Sequence, residues 1–322
     1  MKKSTLVCLI VAVSLVLVGC ILFVGVLMAL RWEFGGLISK SYETNEYAIT
    51  EEYKNISILS DTADVVFLPS EEGNTSVVCY EQEKCKHAVA VKDGTLTVEL
   101  VDTRKWYDHV TVFNLSTPKI TVTLPKAAYD TLAVKNSTGD LTLPKELSFE
   151  SIEVLLSTGD VYCASSATEA IKIKTTTGDI RLEDVSSRMV GLTVSTGKIT
   201  ATSVTCDEEL SVTVSTGKAK LTDVQCAELR SVGNTGDLLM QNVIAGRKIF
   251  VERTTGDVTL ERSDAREIVI RTDTGDVEGT LRSEKSFFAD SDTGDVDVPQ
   301  NQGNERCEII TDTGDIRIRI QQ

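Results

Sequence analysis

The sequence predicts an all-β protein, a single-stranded parallel β-helix behind one transmembrane helix. Three observations carry that reading. Thr-Gly-Asp or Thr-Gly-Lys recurs with glycine at 139, 159, 178, 197, 217, 236, 256, 275, 294 and 314, always 19 or 20 residues apart. Apolar residues alternate with polar ones on both sides of each glycine. An uncharged stretch runs from Thr5 to Leu30.

The period comes first because a fixed repeat of this length means stacked supersecondary units. Seven and five residues before each glycine, and two and four after it, the side chains are mostly aliphatic, as with Ile171, Ile173, Ile180 and Leu182. Polar Lys172, Lys174 and Arg181 lie between. Period-two alternation buries one face of a strand, so each copy reads as two short strands joined by a glycine turn. One such pair cannot bury its apolar face alone. Equivalent positions coincide only if copies stack in parallel, giving about ten rungs at ~4.8 Å and a rod of roughly 50 Å. Val185, Val204, Val224 and Val243, each seven after its glycine, predict a third inward side.

An eleventh copy precedes these: Ile56, Ile58, Val65 and Phe67 keep the offsets, with Ala63 in the glycine position, so the solenoid is expected over 53–322. Between about 71 and 125 the period is lost. Runs at Val77–Tyr80, Val89–Val91, Thr95–Leu100, Val110–Phe113 and Ile120–Leu124 predict a non-repetitive antiparallel insertion, with Asp93-Gly94 as a hairpin turn.

Residues 5–30 are long enough for a hydrocarbon core that needs about 20 helical residues. A cleaved signal peptide would have a shorter apolar region and a small-x-small site, which Leu27-Met28-Ala29 makes poorly. Leu17-Val18-Gly19-Cys20 is similar to a lipobox, but ten further apolar residues follow the cysteine. Lys2 and Lys3 before the span place residues 1–4 in the cytoplasm by the positive-inside rule. Residues 31–52 read as a linker, and everything beyond the span is expected outside the cell membrane. The formal charge of −15 excludes nucleic acid as a partner, because a polyanion is held by a basic patch that releases counterions.

Stacking predicts a column of Asp237, Asp257, Asp276, Asp295 and Asp315, beside a second column of Asp273, Asp292 and Asp312. Carboxylates one rung apart repel, which invites calcium at Asp273, Asp276, Asp292, Asp295, Asp312 and Asp315. The plainer alternative is that each aspartate caps its turn, and it is favoured because the glycine-rich nonapeptide of calcium β-rolls is missing. Lys198 and Lys218 interrupt the first column. An unbroken threonine column at the residue before each glycine reads as a structural hydroxyl ladder. Cys206 and Cys226, both nine after their glycine, are candidates for a disulfide between rungs, and Cys79 and Cys85 for one within the insertion. Cys163 and Cys307 read as core residues. His87 and His109 stand alone in sequence, with no zinc spacing among the cysteines. Ser195-Thr196-Gly197-Lys198 fails the phosphate-loop pattern, since Ile199 stands where a hydroxyl is needed.

Repeated turns such as Ser157-Thr158-Gly159-Asp160 and Thr176-Thr177-Gly178-Asp179, flanked by Ile/Val strands behind an N-terminal span, resemble a family of bacterial candidate adhesins of unknown function. The resemblance covers about residues 50–322. It implies a parallel β-helix at the cell envelope and supplies no catalytic residues or cofactor to carry over. The functional expectation is therefore a non-enzymatic, membrane-anchored solenoid that binds or scaffolds an envelope protein or glycan. A regulatory ectodomain linked to envelope stress is the alternative. A polysaccharide hydrolase or lyase is a further one, disfavoured because rungs this short leave little loop from which to build a cleft.

Overall fold

Alternating aliphatic side chains fix the strands, and the glycine turns fix their ends. In the computed structural model, which describes residues 3–29, 42–103, 117–300 and 303–321, these segments form an all-β solenoid of about nine turns. The strands stack in parallel and in register. Val154 lies beside Ile173, Ile173 beside Leu192, Leu192 beside Val212, and so onward along the rod. Every one of these is buried. The predicted third side is present as well, with Val185, Val204, Val224 and Val243 paired in sequence and buried. Just before them the chain bends at Asp184, Ser203, Asp223 and Asn242, all with φ between 52° and 56°. Short polar side chains tolerate that left-handed conformation better than β-branched ones do.

Chain order departs from stacking order at both ends. The last segment, Glu305–Ile320, does not occupy the outermost position expected of it. It pairs on one side with the rung before it in space, through Thr272–Thr311 and Val277–Ile316, and on the other with Lys285–Asp297, through Ser291–Thr311 and Val296–Ile316. The rung of residues 285–297 is therefore the edge, and it exposes Phe288 and Val296. At the N-terminal end the first rung, residues 55–70, is likewise tucked inward. It lies between the strands at 128–143 and those at Thr95–Asp102 and Lys119–Pro125.

This corrects the expectation of a wholly antiparallel insertion. Residues 95–102 and 119–125 add a parallel rung, while Thr75–Gln82 pairs antiparallel with both Lys119–Pro125 and Tyr42–Ile49. Cys85–Lys92 completes a hairpin with Thr95–Asp102 around Asp93-Gly94. Tyr42–Ile49 falls inside the stretch expected as a linker, yet it is a strand of this cap. The expected strand at Val110–Phe113, His109 and the rest of 31–41 lie outside the described residues.

One inward column departs from the aliphatic pattern, with Asn136, Thr175, Thr272 and Thr311 buried in it. The column Val194, Val214 continues as Gly233 and then Arg253, whose side chain is buried over the space that the glycine leaves. Its guanidinium donates to Ser231 Oγ at 2.8 Å and Glu252 O at 3.0 Å. Burial pulls its pKa down to about 10. The folded value lies below the unfolded one, so the buried charge costs stability at neutral pH, and that cost is relieved only at strongly alkaline pH. Gly233→Val is expected to lower stability at pH 7 by about 1–3 kcal/mol in a urea titration, because a Cβ there would lie 2.7 Å from Val214 O and 2.8 Å from the Arg253 guanidinium.

Candidate functional site

The repeated turn explains most of the predicted site residues. Each repeat glycine has φ between 126° and 156°, and each sits on the carbonyl at the same place in the neighbouring rung, that of Ala63 for Gly139 and that of a glycine for the others. Ala63 itself lacks the positive φ of the glycines, which is why alanine is accepted there.

The aspartates after these glycines accept hydrogen bonds from the next rung. Asp64 Oδ1 accepts from Asp140 N at 3.0 Å, Asp140 from Asp160 at 2.8 Å, Asp160 from Asp179 at 2.7 Å, and Asp179 from Lys198 at 2.8 Å. The ladder resumes from Asp237 through Asp257, Asp276 and Asp315 to Asp295, at distances from 2.7 to 3.3 Å. The spatial order is thus 276, 315, 295, and the second column runs 273, 312, 292. At the interruption Lys218 Nζ pairs with Asp237 at 2.9 Å, and this contact lowers the Asp237 pKa.

Asp273, Asp276, Asp292, Asp295, Asp312 and Asp315 do not converge. No three carboxylates among the described residues bring oxygens within 4.8 Å of one another. Of these six, Asp276 and Asp315 accept a backbone N–H from the next rung. Melting of the protein is expected to be unchanged between chelator and millimolar calcium. Asp160→Ala is expected to cost about 1 kcal/mol and Asp160→Asn much less, read by chemical denaturation.

Cys206 and Cys226 are not bridged in the structure. Cys206 and Cys226 are direct register partners, as the repeat offset predicts, and Cys206 Sγ donates to Arg188 O and Glu209 O. Cys163 and Cys307 are buried core residues. In the cap, the hairpin register sets Cys85 opposite Gln82 and not opposite Cys79, which corrects the pairing expected there.

What sequence reasoning missed is the surroundings of Cys79. Cys79 and Glu81 project inward from one strand at period-two spacing, and His87 meets them from the next strand across the tight turn at 83–84. All three are buried, and one ligand atom from each lies within 4.8 Å of the others. Glu81 Oε2 accepts from His87 N and lies 2.7 Å from His87 Nδ1, while Glu81 Oε1 accepts from Asn45 Nδ2 at 2.7 Å. A carboxylate only accepts, so in a neutral ring Nδ1 carries the proton and Nε2 faces Ser60 Oγ at 3.0 Å. Burial, and then the charge of Glu81, push the Cys79 thiol up to about 12. Ser60, His87 and Glu81 have the connectivity of a hydrolase triad. The Ser60 N–H, however, is committed to Lys135 O at 3.0 Å.

Beside this cluster, on the outer face of the rod, lies an open groove of about 480 Å³. Its floor is the outward row Glu99, Leu59, Lys135, Leu155 and Lys174, one residue per rung, and Ser60 borders it. Leu59 and Leu155 are 39% and 40% exposed, so from Leu59 to Lys174 the row alternates apolar and cationic side chains, with the anionic Glu99 at its capped end.

Stacked rungs, a capped end and an outward groove define a β-solenoid. Residues 53–208 and 202–322 match the family described as Toastrack DUF4097, and the chain belongs to that family. Among solved structures it is similar to a candidate adhesin from Bacteroides fragilis NCTC 9343, at 18% identity over 87% of this chain and 98% of that one, with a TM-score of 0.44. A candidate lipid-binding protein from Parabacteroides distasonis ATCC 8503 is 16% identical over 87% and 97%, with a TM-score of 0.43. A candidate adhesin from the same organism is 12% identical over 87% and 98%, with a TM-score of 0.34. The sequence matches no curated protein.

Proposed function

We propose that the protein is a membrane-anchored solenoid of the cell envelope that binds or scaffolds an envelope protein or glycan through the groove at its capped end. The observation that carries this reading is the row Glu99, Leu59, Lys135, Leu155, Lys174. It sets apolar and cationic groups at one-rung intervals, a spacing that suits an extended ligand lying along the rod.

The anchor is the helix Lys3–Ala29, of 27 residues and roughly 40 Å at 1.5 Å per residue. Among the described residues, no helix is long and apolar enough to cross a membrane. The uncharged sequence from Thr5 to Leu30, and apolar side chains from Leu9 to Val24 that are each at least 43% exposed, support the span. Lys2 and Lys3 support a cytoplasmic N-terminus with the solenoid outside.

The test is site-specific photocrosslinking of the full chain in its native membranes. A probe at Leu155 is expected to yield a discrete adduct with one protein or glycan, and a probe at Lys220, on the other outward row, is expected to yield none. Equal labelling at the two positions, or none at Leu155, overturns the groove assignment. Extraction of the protein by alkaline carbonate overturns the anchor.

A further inference from the structure

We propose that Cys79, Glu81 and His87 form a binding site for a zinc-type divalent cation inside the cap. The three donors are a sulfur, an oxygen and a nitrogen, the set that zinc favours and calcium does not. The charges balance: a thiolate, a carboxylate and a neutral imidazole neutralise a divalent ion, which matters where all three ligands are buried.

The outer contacts that a metal site needs are already in place. Asn45 Nδ2 holds Glu81 Oε1, and Oε2, which also accepts the His87 backbone N–H, faces His87 Nδ1 and offers its other lone pair to the ion. Ser60 Oγ lies 3.0 Å from His87 Nε2. Binding at Nδ1 displaces the proton from that nitrogen, and Nε2 then carries the ring proton and donates it to Ser60 Oγ. A hydrogen bond of this kind on the far nitrogen is what fixes a metal-bound histidine. The Cys79 proton also leaves on binding, because the ligand is the thiolate.

Three protein ligands leave a fourth position. A cavity of about 40 Å³ adjoins the cluster, lined by His87, Gln82, Cys85 and Leu100 among others. That is room for one water molecule. The site ties Thr75–Gln82 to Cys85–Lys92, so the ion would staple the cap hairpin just behind the groove.

The full chain in detergent, stripped with chelator and reloaded with zinc alone, is expected to retain one zinc per chain through gel filtration. Reloaded with cobalt, it is expected to show a near-ultraviolet thiolate-to-cobalt band that Cys79→Ser abolishes. Glu81→Gln keeps the shape of the carboxylate and its Asn45 contact, and it is expected to lower zinc affinity in a folded protein. Ser60→Ala and Asn45→Ala are expected to weaken it about 10–100-fold. Cys206→Ser serves as control and is expected to leave zinc content unchanged. Folded protein that binds no zinc, or whose bound metal survives both Cys79→Ser and Glu81→Gln, overturns the site.

Discussion

Replacing Gly197 with alanine is expected to destabilise the solenoid by about 4 kcal/mol or more, a loss read as a fall in urea midpoint or as failure to accumulate folded protein. A methyl group there would lie 2.1 Å from Gly178 O, and the backbone φ of +145° is one that L side chains rarely adopt. The obstructing atom is main chain, so relief requires two rungs to part, and parting them breaks the hydrogen bond from Lys198 N to Asp179 Oδ1. Gly294→Ala meets Gly314 O at the same 2.1 Å, but its rung is the free edge and can peel away alone. Its cost is expected to be smaller and confined to residues 285–297. Ala63→Gly is expected to change little, since that position already has ordinary backbone geometry.

Lys285→Ala is expected to cost about 3–5 kcal/mol, measured by differential scanning calorimetry, and to raise hydrogen exchange across residues 285–297. The ammonium is fully buried between Asp264, at 2.6 Å, and Glu305, and it also donates to Ala265 O at 2.6 Å. Removing it strands two carboxylates at a partly buried junction. Its partners come from two segments, Asp264 and Ala265 from the regular rod and Glu305 from the C-terminal segment, while Lys285 itself belongs to the edge. This one side chain therefore holds the C-terminal segment in its inner place. Lys285→Met keeps much of the volume and is expected to lose nearly as much, because charge and not bulk is what the site lacks.

The rod was legible because its signals are local and repeated. Ile171, Ile173, Ile180 and Leu182 announce inward faces by alternation alone, and ten equally spaced glycines announce the stacking. The aspartate role followed from turn chemistry, although sequence could not say that the accepted N–H belongs to the next rung. Stacking order at the ends was not legible. Every rung carries the same offsets, so residues 287–296 and 307–316 fit the same place equally well by pattern, and only Lys285 with its two acids distinguishes them. The Cys79, Glu81 and His87 cluster was hidden for a different reason. His87 is isolated in sequence, and only the tight turn at 83–84 carries it back to the strand of Cys79 and Glu81. The spacing Cys-x-Glu followed by histidine across a hairpin was the one available signal.

The inward placement of both end segments bears on how the molecule is taken apart. A processive protease that grips the tail must first extract a slat clamped along both long sides, shearing two ladders at once, whereas an ordinary solenoid sheds its final coil by opening one. Assembly faces the same obstacle in reverse. Residues 305–320 have to slide into a slot, or the slot has to close over them, so closure of this end becomes the slow, late event in folding.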